Sequence, residues 1–85
     1  MIKVYQKLRS KNSCQWDTII EWPETMDDPQ LRCNLMNACP TGPFTYHGKT
    51  SFSFSGQLWD DDKKKFTEKV NEIYKRYESN SKVSN

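Results

Sequence analysis

Ser51-Phe52-Ser53-Phe54-Ser55-Gly56-Gln57-Leu58 alternates between apolar and polar residues, interrupted only by a glycine. Successive side chains on a strand point to opposite faces. Phe52, Phe54 and Leu58 therefore share one face, and Ser51, Ser53, Ser55 and Gln57 share the other. Such alternation predicts an antiparallel strand with one dry and one wet face. A sheet of that kind needs helices on one side only.

The same period extends upstream. Phe44 and Tyr46 alternate with Thr45 and His47, and Gly48-Lys49 predicts a tight turn into the serine-rich strand. Near the N-terminus, Ile2, Val4 and Leu8 fall opposite Lys3, Tyr5, Lys7 and Arg9. After the turn-like Ser10-Lys11-Asn12-Ser13, Trp16, Thr18, Ile20 and Trp22 fall opposite Gln15, Asp17, Ile19 and Glu21. These two runs predict a hairpin, closed by Pro23.

Two stretches carry helical signals. Asp27-Asp28-Pro29 joins an acidic cap to a proline suited to the first turn. A short helix to about Cys39 would place Leu31, Leu35, Met36 and Cys39 on one side. Pro40-Thr41-Gly42-Pro43 ends it. Asp60-Asp61-Asp62 puts acids where a helix dipole favours them. Phe66, Val70, Ile73, Tyr74 and Tyr77 then form a stripe, with Lys75 and Arg76 expected near the far end. The order is ββαββα. The predicted fold is α+β, a small antiparallel sheet of about four strands with two helices on one face. Residues 1–79 make the domain and residues 80–85 a flexible polar tail.

Composition agrees with a folded chain. Hydrophobic residues are 34% of 85 and aromatics 13%, so the core is few in residues and heavy in rings. Each ring buries roughly 150–250 Å². A net charge of +2 does not by itself announce nucleic acid or an anionic membrane. Met1 to Lys7 lacks the apolar run of a signal peptide, and no segment is apolar enough to span a bilayer. Three cysteines without an export signal predict a reducing compartment, the cytoplasm, and no membrane partner.

Motifs that would carry chemistry are thin. Gly48-Lys49-Thr50 is like the tail of a phosphate-binding loop, but Pro43 stands where that motif needs a glycine, and a strand follows where it needs a helix. A hairpin turn explains it. Cys14, Cys33, Cys39 and His47 could ligate zinc, yet no close pair supplies the usual knuckle. His47 could serve a nearby thiol as base, but no local signature surrounds it. Capping explains Asp60, Asp61 and Asp62 better than a hard cation does. No catalytic residue, metal ligand or cofactor is predicted.

Surfaces are more informative. With the apolar sides packed, the open sheet face would carry Lys3, Tyr5, Lys7 and Arg9, joined by Ser53, Ser55 and Gln57. Cations for phosphates and a ring for stacking suit a single-stranded nucleic acid. Lys49, Lys63, Lys64 and Lys65 could extend the positive area. The second surface is aromatic. Trp16, Trp22 and Trp59 are many tryptophans for so small a core, and tryptophan concentrates at protein interfaces. Packing is expected for Trp16 and Trp22, whereas Trp59 is open between packing and contact.

The expected function is therefore a small non-enzymatic binding protein, an inhibitor or adaptor that holds another protein stoichiometrically, as a monomer or small homo-oligomer. Its alternative is an RNA or single-strand binder using the basic, Tyr-bearing face. In size and Lys/Asn/Ser-rich surface the chain is like small bacteriophage accessory and anti-defence proteins. That likeness is one of style and rests on no residue motif.

Overall fold

A computed structural model describes the chain from Ile2 to Val83, with side chains as far as Ser79. Its elements are β1 (Lys3–Leu8), β2 (Trp16–Glu21), α1 (Pro29–Asn37), β3 (Phe44–Gly48), β4 (Ser51–Ser55) and α2 (Asp60–Val83), with a 3₁₀ turn at Glu24–Met26. The four strands are antiparallel throughout, in the order β1-β2-β4-β3. Two hairpins thus lie side by side, joined through their second strands, which makes β2 and β4 central and β1 and β3 the edges. The α+β class and the one-sided helix layer stand as the residue pattern predicts.

Both helices press on the face that carries Ile20, Phe52 and Phe54. Leu31 and Leu35 come from α1, Phe66, Val70 and Tyr74 from α2, and all are buried with Ile2 and Trp22. Phe52 meets Trp22 and Phe44 edge to face, at ring-centroid distances of 5.9 and 5.8 Å, and Phe54 meets Phe66 at 5.6 Å. Edge-to-face packing sets the positive rim of one ring against the negative face of the next. The 3₁₀ turn has a use here. Trp22 is buried, and its indole N–H donates to the Met26 carbonyl at 3.1 Å, so its polar atom is satisfied.

The helix starts follow their sequence signals. The Asp28 carboxylate accepts the Gln30 N–H at 2.9 Å, with Pro29 in the first turn. In α2 the three acids occupy the first turn, and Phe66, Val70 and Tyr74 face the core. Because α2 runs to Val83, Lys75 and Arg76 lie inside it, not at its end as expected, and Arg76 instead donates to Glu72 one turn back at 2.9 Å. Its backbone also enters the segment expected as a polar tail. The side chains of residues 80–83, and residues 84 and 85, lie outside the described residues.

One strand is shorter than its alternation implies. β4 ends at Ser55, because Gly56 takes a positive φ of 133° that turns the chain out of the sheet. Two hydrogen bonds hold that exit: the Gly56 N–H donates to the Trp16 carbonyl at 2.9 Å, and the buried Thr18 hydroxyl donates to the Gly56 carbonyl at 3.0 Å. Gln57 therefore leaves the sheet and cannot join its open face. Leu58 still packs against the core from the linker.

Candidate functional site

The open face is built from rows fixed by register. Tyr5, Ile19, Ser53 and Thr45 stand in one row across the sheet. Lys3, Glu21 and Ser51 form the next, and Lys7, Asp17 and Ser55 the row on the other side. Cross-strand neighbours this close interact directly. No helix covers them, yet Ile19 and Ser53 are 6% and 2% exposed.

Long side chains from the two edges produce that closure. From β1, the Tyr5 hydroxyl leans inward to donate to Glu21 Oε2 at 3.2 Å. From β3, His47 Nε2 meets Ser53 Oγ at 2.8 Å. Arg9 donates to both Asp17 carboxylate oxygens, at 2.7 and 3.3 Å, and further to Ser55 Oγ at 3.1 Å and Gln15 Oε1 at 2.7 Å. The expected wet hydroxyl face is thus corrected at Ser53, which is sealed between its neighbours on β2 and β3 and under His47, while Ser55 stays half-buried.

Charge follows the same geometry. Asp17 holds the Arg9 guanidinium and raises its pKa, chiefly through their hydrogen bond. Desolvation and the Glu21 carboxylate push the Tyr5 phenol upward, so Tyr5 remains a neutral donor at physiological pH. Lys3, Lys7 and Arg9 are therefore set against Asp17 and Glu21 on one surface. The two acids were visible in the sequence, since the same alternation puts them on this face.

The remaining lysines do not extend it. Lys63, Lys64 and Lys65 belong to the first turns of α2, in the layer on the other side of the sheet. Lys49 lies in the β3–β4 turn, where its carbonyl accepts from Arg32 of α1. That arginine also stacks over the Tyr46 ring at 5.6 Å and approaches Asp27 at 3.8 Å. It clamps α1 to the β3–β4 hairpin, a structural role that no sequence motif announced. Gly48-Lys49-Thr50 is the hairpin turn expected of it.

Aromatic side chains lie outside the core. Trp59 is 72% exposed, Tyr46 61%, Tyr5 40% and Trp16 37%. Trp16 corrects the expectation of packing. It opens β2 opposite Leu8, beyond the last core row of Thr18 and Phe54, so the core stops short of it. Trp59 follows at the same end of the sheet. Its carbonyl accepts the Lys63 N–H at 2.7 Å, and the preceding Leu58 carbonyl accepts from Gln6 Nε2 at 2.5 Å. The backbone beneath Trp59 is thus held while its ring projects.

Several clefts open on the molecule, and two of them gather the most polar side chains. One of about 320 Å³ between the helices is lined by Asn34, Asn37, Lys69, Ile73, Arg76 and Tyr77, which bring no carboxylate, thiol or imidazole together. Another, of about 510 Å³, takes in Tyr5, Glu21, Glu24, His47 and Ser51. There Glu21 is engaged by Tyr5, and His47 by a serine that solvent barely reaches. Among the described residues no three His, Cys, Asp or Glu side chains gather as a metal site.

The cysteines differ in exposure. Cys14 and Cys33 are exposed, while Cys39 is half-buried and its thiol donates to the Leu35 carbonyl at 3.3 Å. Burial pushes the Cys39 pKa up to about 12, with Lys69 acting weakly in the opposite direction. Only the thiolate is nucleophilic. At neutral pH a thiol reagent is therefore expected to modify Cys14 and Cys33 rapidly and Cys39 only after unfolding. Mass spectrometry of the labelled protein checks this, and equal labelling of all three would refute it.

No helix among the described residues is long and apolar enough to cross a membrane. Comparison with family models, curated proteins and solved structures gives no match.

Proposed function

We propose that this chain is a non-enzymatic binding protein that acts stoichiometrically, as an inhibitor or adaptor, on another protein in the cytoplasm. The observation that carries the reading is Trp59, 72% exposed on a hydrogen-bonded backbone at the end of the sheet where Trp16 is also open. Tryptophan supplies a large, rigid contact area, and such residues dominate the energetics of protein interfaces. The core closes without Trp59, so its ring is available for contact. Three unpaired cysteines support a reducing compartment.

The nucleic-acid alternative is weaker on this geometry. Its surface needed several cations beside wet hydroxyls; Lys3 and Lys7 remain exposed, but Arg9 is committed to Asp17 and Ser53 is sealed, which shrinks the patch. Capture of partners from lysate, with and without nuclease, tests the choice. The bound protein is expected to survive nuclease treatment. Loss of the partner on treatment, or salt-sensitive binding of a labelled single strand, would reverse the reading.

A further inference from the structure

We propose that the outer edge of β1 takes up an extended acidic segment of the partner protein as a fifth strand of the sheet. The inference rests on the protein-binding reading and names a second surface for it. In an antiparallel ladder, alternate residues turn their N–H and C=O groups toward opposite sides. The Arg9 N–H donates to the Gln15 carbonyl at 2.9 Å, so the odd-numbered residues of β1 bond to β2. Val4, Gln6 and Leu8 therefore direct their backbone groups away from the sheet. At Ile2 the outward N–H is taken by Asn71 Oδ1 at 2.9 Å. Among the described residues no hydrogen bond reaches the outward backbone groups of Val4, Gln6 or Leu8. An edge strand of this kind is a template for strand addition.

Charge selects the occupant. Asp17 is held by Arg9, and Glu21 by Tyr5. Lys3 and Lys7 stand opposite Glu21 and Asp17 in the register, yet both are exposed and neither closes an ion pair among the described residues. A second copy pairing along this edge would set its own Lys3, Lys7 and Arg9 against the same three cations, and like charges opposite one another are destabilising. A strand with carboxylates at alternate positions places them beside Lys3 and Lys7. The lysines thus bar self-association and admit an acidic partner. The other edge is poorer: β3 begins after Pro43, and its ladder is irregular between Tyr46 and Gly48.

The test uses a capped Glu-Val-Glu-Val-Glu-Val peptide and its Lys-for-Glu counterpart, with amide exchange followed by NMR. The acidic peptide is expected to bind saturably at millimolar concentration and to slow exchange at Val4, Gln6 and Leu8, leaving Lys3, Tyr5 and Lys7 unchanged. Lys3→Glu with Lys7→Glu should weaken that binding about tenfold and let the lysine peptide bind instead. Lys3→Gln with Lys7→Gln serves if the reversal disturbs folding. No slowing at those three amides under saturating acidic peptide overturns the proposal. So does a single-stranded RNA that slows them where the peptide does not. Trp59-dependent capture is measured on the same preparation. Capture without peptide binding sinks the edge alone, and peptide binding without capture sinks the Trp59 reading alone.

Discussion

Phe52→Ala is expected to lower the free energy of unfolding by about 3–5 kcal/mol, the range for truncating a fully buried phenylalanine. Phe52 is 0% exposed and stands on a central strand between both hairpins and both helices. Its ring is the common partner of Trp22 and Phe44, so alanine removes two edge-to-face contacts and opens a void in the core. A domain of this size has roughly 4–13 kcal/mol of stability in total. The variant should therefore unfold at far lower urea, and a parent stability near the bottom of that range, about 4 kcal/mol, would leave it largely unfolded. Urea denaturation followed by tryptophan emission measures the effect. A loss below about 1 kcal/mol would mean that Phe52 is not the centre of the core.

Trp59→Ala should show the opposite profile. With the ring 72% exposed, its removal deletes little packing, and stability should stay within about 0.5 kcal/mol of the parent. Affinity for the captured partner should fall by about 2 kcal/mol or more, close to thirtyfold, as for tryptophan anchors at protein interfaces. Calorimetric titration of the two proteins reads this directly. Unchanged affinity would remove Trp59 from the interface, and a large fall in melting temperature would return it to the core.

The fold was largely legible because its strands alternate cleanly and both helices begin on acidic residues. Phe52, Phe54 and Ile20 fall inward as their period requires, and Phe66, Val70 and Tyr74 follow helical spacing. What alternation cannot show is which strand is central. That hid the sealing of Ser53, which depends on β3 and β2 flanking β4, and of Ile19, which depends on Tyr5 reaching inward. The end of β4 was hidden for another reason. Gly56 reads as a tolerated interruption of a strand, whereas its positive φ makes it the exit from the sheet.

The candidate site was legible in part. Lys3, Tyr5, Lys7 and Arg9 do share the uncovered face, but their charge balance depends on Asp17 and Glu21 across the hairpin. Weighing the cations without those acids overstated the positive surface. Lys63, Lys64 and Lys65 were misplaced because a lysine run in a helix says nothing about which layer it faces. Trp16 lies past the last core row and Trp59 in the linker beyond β4, whereas Trp22 is tied over the core by its bond to Met26. Position in the fold, not residue type, separates them.

The most direct measurement is a hydrogen-exchange footprint of the protein bound to its captured partner. Slowed exchange is expected across residues 56–60 and at the start of β2, where Trp59 and Trp16 stand open, with the α1–α2 cleft unchanged. A footprint confined to that cleft, or no slowing around Trp59, would contradict a contact made through the exposed rings.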